Sequence, residues 1–175
     1  MPDPVQNPGR FLAGIAGVVR NRAGQYLLLR RSADRDFNAG VWECVTGRVN
    51  QAEGFEDALH REVMEETGLQ VHIDLLIGLS HFYRGTPVAA NELQGVVFGC
   101  SIDGDEIVRH GSEHSEHLWA HAPTALQMLT APDAGTRWLR QTIERAELLY
   151  SALPPTWPAA HASGVTLAAD GRSED

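Results

Sequence analysis

The stretch Gly47–Leu69, GRVNQAEGFEDALHREVMEETGL, constrains this chain more than any other. Residues 55–67 read as a helix that stops at Gly68, since glycine accepts a left-handed C-terminal cap without steric cost. At about 100° per residue, Glu62, Glu65 and Glu66 share one face of that helix, three and four positions apart. Phe55, Leu59 and Val63 form the neighbouring apolar stripe, and the two stripes overlap. The carboxylates therefore fall on the inward side of the helix or at its edge. Like charges at this spacing cost a few tenths of a kcal/mol when exposed. Partial burial costs more and raises carboxyl pKa values. A divalent cation removes the conflict, and an all-oxygen cluster suits Mg²⁺ or Mn²⁺ rather than zinc. Taken alone, EVMEE also describes an ordinary solvated charged face, with Arg61 as an i,i+4 partner of Glu65.

The rest of the chain supplies strands for such a helix to pack on. Leu12 to Arg20, the turn Asn21–Gly24 and Gln25 to Arg31 read as a hairpin. A polar loop over 32–40 follows, then a short strand from Val41 to Thr46 closed by Gly47. Beyond the helix, Leu69 to Tyr83 carries one or two strands with a weak break at Ile77-Gly78. Leu93 to Ile102 reads as a strand ending in the turn Asp103-Gly104-Asp105. His117 to His121 is a further strand, and Pro123 to Leu129 a short helix. Leu139, Ile143, Ala146 and Tyr150 follow helical spacing. The pattern predicts an irregular arm over 1–11, one α/β layered domain over 12–150 and an irregular tail over 151–175.

Composition narrows the function. The chain has 175 residues, 43% hydrophobic and 21% charged, with a formal charge of −9. That sign argues against a duplex nucleic-acid partner. No run approaches the roughly 18 apolar residues of a membrane-spanning helix, and MPDPVQNPGR is not a secretory signal. Cys44 and Cys100 lie inside apolar stretches and read as buried thiols of a reducing compartment, so the expected location is cytoplasmic.

Gly47, Glu53, Arg61, Glu62, Val63, Glu65, Glu66, Gly68 and Leu69 fill every defined position of the Nudix box, and the chain resembles the Nudix hydrolase superfamily. The resemblance implies an α/β/α sandwich with a mixed β-sheet and a loop–helix–loop metal site. It implies Mg²⁺ (or Mn²⁺) held by Glu62, Glu65, Glu66 and the Gly47 carbonyl, with Glu53 and Arg61 in support and Arg61 orienting carboxylates. The implied reaction is hydrolysis of a diphosphate linkage in a nucleoside triphosphate or another nucleoside diphosphate derivative. Three positions depart from common family usage: Thr46 and Ala52 stand where glycine is frequent, and Asn50 where an acid is frequent.

A general base is expected from the segment Gly111–Trp119, with Glu113 favoured over Glu116 or a Glu of the box. His114, His117 and His121 read as surface or edge-strand residues rather than a transition-metal site. Arg30, Arg31, Arg35 and Arg84 are candidates for phosphate contact. Phe37, Trp42, Phe82, Tyr83 and Trp119 are candidates for base stacking, with core packing the better reading for the two tryptophans. Two alternatives stay open: an isopentenyl diphosphate isomerase-like enzyme, invited by Cys44, and a non-catalytic nucleotide-binding sensor. The oligomeric state, a homodimer included, is not legible in the sequence.

Overall fold

In the computed structural model, residues 9–34, 39–104, 107–154 and 157 are described. In chain order the elements are β1 (Leu12–Arg20), β2 (Tyr26–Arg31), β3 (Trp42–Glu43), β4 (Val45–Arg48), α1 (Phe55–Thr67), β5 (His72–Tyr83), β6 (Glu92–Ser101), β7 (His114–Ala120), α2 (Ala122–Met128) and α3 (Ala134–Ala152). A single turn of 3₁₀ helix, Ala89–Asn91, precedes β6.

The unbroken apolar run of β1 makes it the central strand. Its residues alternate between two cores: Ile15 and Val19 point to one cluster, Ala16 and Val18 to the other. β1 lies parallel to β6 from Leu12↔Leu93 to Arg20↔Ser101, and β5 flanks β6 antiparallel. α1 covers one face through Ala58, Leu59 and Val63, and α2 and α3 cover the other through Ala122, Ala125, Leu139, Ile143 and Ala146. The result is an α/β/α sandwich around a seven-stranded mixed sheet. Among the described residues no helix is long and apolar enough to cross a membrane.

The predicted hairpin is present but opens at once. β1 and β2 pair only at Arg20↔Tyr26, beside the turn where Gly24 takes a φ of 77°. The chain from 42 to 48 fills the gap. β3 pairs with β2, and β4 then pairs with β1 from Gly17↔Val45 to Gly14↔Arg48. The strand expected over Val41–Thr46 is thus two strands that change partner at Cys44, and Gly47 lies inside the second rather than closing the first.

Other boundaries shift for physical reasons. Phe55 stays 42% exposed at the start of α1, and the buried stripe runs through Ala58, Leu59, Val63 and Thr67 instead. Gly68, with φ 70°, caps the helix as its spacing implied, its N–H donating to the Met64 carbonyl. A Cβ on Gly17 would come within 2.7 Å of Leu59 Cδ1, so this glycine admits α1 close to the sheet. β7 begins at His114, three residues earlier than expected. α3 runs beyond Tyr150 to Ala152, and Leu153 and Trp157 pack onto the α3-side core. Residues of the expected tail therefore take part in the fold. Residues 158–175 and the arm residues 1–8 lie outside the described residues, as do Arg35, Phe37 and Asp105.

α3 starts at Asp133, whose carboxylate accepts hydrogen bonds from the Thr136 N–H at 2.8 Å and the Thr136 hydroxyl at 2.6 Å. These bonds hold its carboxyl below the usual range. Such a group stabilises the fold above its unfolded pKa and loses that effect as pH falls through its folded value. Asp133→Ala should cost about 1 kcal/mol at neutral pH, and urea unfolding should show the deficit shrinking below about pH 4.

Candidate functional site

β4 runs out of the sheet carrying Gly47, paired with Ile15 of β1. A Cβ on Gly47 would lie 2.1 Å from the carboxyl carbon of Glu62. The Glu62 carboxylate therefore rests on bare backbone, and only glycine fits beneath it. The loop after β4 is tied at both ends. Val49 N–H donates to the Ala13 carbonyl at 3.0 Å, and Asn50 N–H donates to Glu53 Oε2 at 2.8 Å. Between them Ala52 sits at φ 65°, the left-handed region that favours glycine.

Arg61 on α1 gathers this loop. Its Nε and Nη2 bind the two Glu53 oxygens at 2.7 and 3.0 Å, a bidentate pair. Nη2 also donates to the Arg48 carbonyl at 2.9 Å. Nη1 reaches Glu62 Oε1 at 2.8 Å and Glu65 Oε2 at 3.3 Å. The hydrogen bonds from Arg61 pull the Glu53 carboxyl down to about 2, and those carboxylates push the guanidinium further up.

Glu66 points inward from the next position of the same face. Its Oε2 is shut off from solvent and meets no hydrogen-bond partner among the described residues. Burial pushes its carboxyl up to about 9, helped by the charges of Glu43, Glu62 and Glu113 and opposed by Arg31. Glu43, on β3, is the residue that sequence reasoning missed. Alternation along 42–45 was the available signal: Trp42 and Cys44 pack on the α3 side, Val45 on the α1 side, so Glu43 turns to α1 as well. Its Oε1 accepts from Arg31 Nη1 at 3.0 Å and from His114 Nε2 at 2.8 Å. Of the two placements expected for His114, surface or edge strand, the second holds: it lies on β7, which pairs only with β2 among the described residues, and its side chain is buried, the residue being only 3% exposed.

The remaining predicted residues divide clearly. The Glu65 side chain is 58% exposed, at the rim. The charge of Glu113, exposed just before β7, helps push the Glu66 carboxyl up. Glu116 pairs instead with Arg30 at 3.3 Å, and Arg30 lies over Trp42. Trp42 and Trp119 pack on opposite cores, while Phe82 and Tyr83 are exposed. Arg84 lies in the exposed turn after β5. His117 stacks edge-on with His110, and His121 precedes α2. Cys44 and Cys100 are free and buried, and burial drives both thiols above their ordinary range.

Among the described residues, no three acidic, histidine or cysteine side chains already converge on one point. Glu62 and Glu65 are engaged by Arg61, while Glu66 keeps an orphaned oxygen beside them. The oxygen-only donors, that orphaned atom and the bare backbone at Gly47 fit a hard divalent cation. A carboxyl whose pKa rises on folding weakens the fold as pH climbs, because the unfolded chain has already released the proton. With a chelator present, Glu66→Gln should therefore be more stable than wild type near pH 8, the difference closing toward pH 4 in urea melts. Ala52→Gly should stabilise the fold by about 0.5 kcal/mol in the same assay. Release of left-handed strain, roughly 1 kcal/mol, outweighs the greater freedom glycine gives the unfolded chain.

The NUDIX domain profile matches residues 10–145 of this chain. An octanoyltransferase of Myxococcus xanthus is 35% identical over 131 residues, which span 74% of this chain and 34% of that protein. A putative 8-oxo-dGTP diphosphatase of Bacillus subtilis is 30% identical over 123 residues, covering 70% of this chain and 74% of its own. The crystal structure of a MutT protein from Methanosarcina mazei superposes with a TM-score of 0.64 at 29% identity, over 81% of this chain and 99% of that one. The match over most of the chain, on a sandwich that carries the complete Glu-rich helix, shows that this chain belongs to the Nudix family.

Proposed function

We propose that this chain is a divalent-metal-dependent pyrophosphohydrolase that cleaves a diphosphate linkage in a nucleoside triphosphate or another nucleoside diphosphate derivative. The observation that carries the reading is the orphaned, buried Glu66 oxygen beside Glu62, whose carboxylate lies on the bare backbone of Gly47. The Gly47 carbonyl, Glu62, Glu65 and Glu66 would hold Mg²⁺ or Mn²⁺. Bound there, the cation supplies positive charge against the phosphoryl oxygens at a site that is otherwise acidic. The diphosphatase named among the relatives supports this class of substrate.

The chain's own residues do the rest. Arg61 fixes Glu62 and Glu65 against the loop, so the ligand oxygens need little reorganisation. Glu113, exposed on the loop before β7, accepts the proton of the attacking water. Water oxygen bonds to phosphorus, the bond to the leaving phosphate oxygen breaks, and the released group departs as an anion. Cys44 is shut inside the α3-side core, which deprives the isomerase alternative of the reactive thiol that suggested it. We place the reaction in the cytoplasm, where both buried thiols stay reduced.

The test is a panel of nucleoside triphosphates, nucleotide sugars, dinucleoside polyphosphates and ADP-ribose with Mg²⁺ or Mn²⁺, products separated by chromatography. At least one should yield a nucleotide product. Glu66→Gln should lower kcat/KM on that substrate by at least a hundredfold, about 2.7 kcal/mol in the barrier. Unchanged turnover would remove Glu66 from the chemistry, and tight binding without turnover would favour a nucleotide sensor.

A further inference from the structure

β2 and β7 pair in register from Tyr26↔Ala120 to Arg30↔Glu116, and the next pair is Arg31↔His114. Ser115 is left over, so the strand carries a bulge. Trp119 packs on the α1 side of the sheet. Unbroken alternation from Trp119 would send Ser115 to that side and His114 to the other. The extra residue reverses this and turns His114 inward.

There its side chain is 1% exposed, and Nε2 lies 2.8 Å from Glu43 Oε1. A carboxylate only accepts, so Nε2 carries the proton. Nδ1 is left buried with no hydrogen-bond partner among the described residues. An apolar side chain would avoid that unmet atom, so packing alone does not account for a histidine here. The segment just before it is held at its backbone as well. Ser32 N–H donates to the Glu113 carbonyl at 2.9 Å, and the Ser32 hydroxyl donates to the Ser112 carbonyl at 3.0 Å. These bonds join the Glu113 loop to the end of β2, and the His114 side chain draws it inward to Glu43.

We propose that His114 is a positioning residue: through its bond to Glu43 it fixes the loop that carries Glu113 at the mouth of the site. The proposal rests on the reading of Glu113 as the base. His114→Phe should break the tether, while His114→Gln, whose amide nitrogen reaches about as far as Nε2, should keep it.

Hydrogen exchange of residues 111–116 in the full chain tests the tether without substrate. Exchange should quicken about tenfold or more in His114→Phe and stay near wild type in His114→Gln. On a substrate confirmed by the nucleotide panel, His114→Phe should lower kcat at least about tenfold with KM within about threefold, and His114→Gln should restore it. Added to Glu113→Gln, His114→Phe should cause no further loss beyond about twofold, because both changes act through one group. If the phenylalanine variant does not fold, His114→Asn, too short to reach Glu43, replaces it. Unchanged exchange in the tether-breaking variant overturns the tether. A lowered Tm with unchanged kcat, or a full further loss in the double variant, overturns the positioning role. Wild-type turnover in Glu113→Gln overturns the assignment of Glu113 while the exchange result still judges the tether, so the two failures are told apart.

Discussion

Arg61 is the contact on which the site depends. Its guanidinium binds Glu53 bidentately, the Arg48 carbonyl, Glu62 and Glu65. A fork of fixed N–H donors can serve loop, strand end and helix together, which an ammonium group at the same place cannot do. Without it, three acidic side chains on one helix and a fourth on the loop would repel one another, and α1 would lose its bonds to Glu53 and the Arg48 carbonyl in the chain that precedes it. The pairing leaves Glu66 out. That carboxyl is carried into the interior by the buried stripe of α1, and the charges around it are mostly of its own sign. The fold thus keeps one unsatisfied acid and neutralises its neighbours, a distribution that favours capture of a cation over simple surface solvation.

Much of this was legible in residue spacing. The helix, its glycine stop and the face shared by Glu62 and Glu66 follow from a period of 3.6 residues and from charge, whereas the role of Arg61 was implied by the resemblance to the Nudix box. The apolar run of Leu12–Arg20 marked a strand. What escaped lay in pairing between distant segments. Nothing within 41–48 announces that its partner changes at Cys44, because the gap it fills is created by the divergence of β1 from β2. Phe55 has the right spacing for burial and remains exposed, since the helix meets the sheet only from Ala58 onward.

His114 shows the same limit at one residue. Unbroken alternation along His114–Ala120 would place it on the other face of the sheet, and one serine more on β7 than on β2 shifts the phase. A bulge is a property of a strand pair, so it has no signature in either strand alone. Glu43 belongs to the same lesson, since its importance appears only when Arg31, His114 and Glu66 are seen around it.

Gly17 carries no functional group, yet it governs the height of the acidic helix above the sheet. Leu59 reaches to within 2.7 Å of where its Cβ would stand, and Gly17 pairs with Val45 on the strand that leads to Gly47. α1 and the Gly47 backbone are thus seated against the same short stretch of β1, as two parts are set by one shim. A side chain there would press on the buried Leu59 and Val63 side chains of α1, the stripe that seats the helix beside the Glu62 carboxylate. Closely packed interiors pass such a displacement on rather than absorb it. The tolerance of the site is therefore set partly at a position with no chemistry of its own, on the strand beneath the helix.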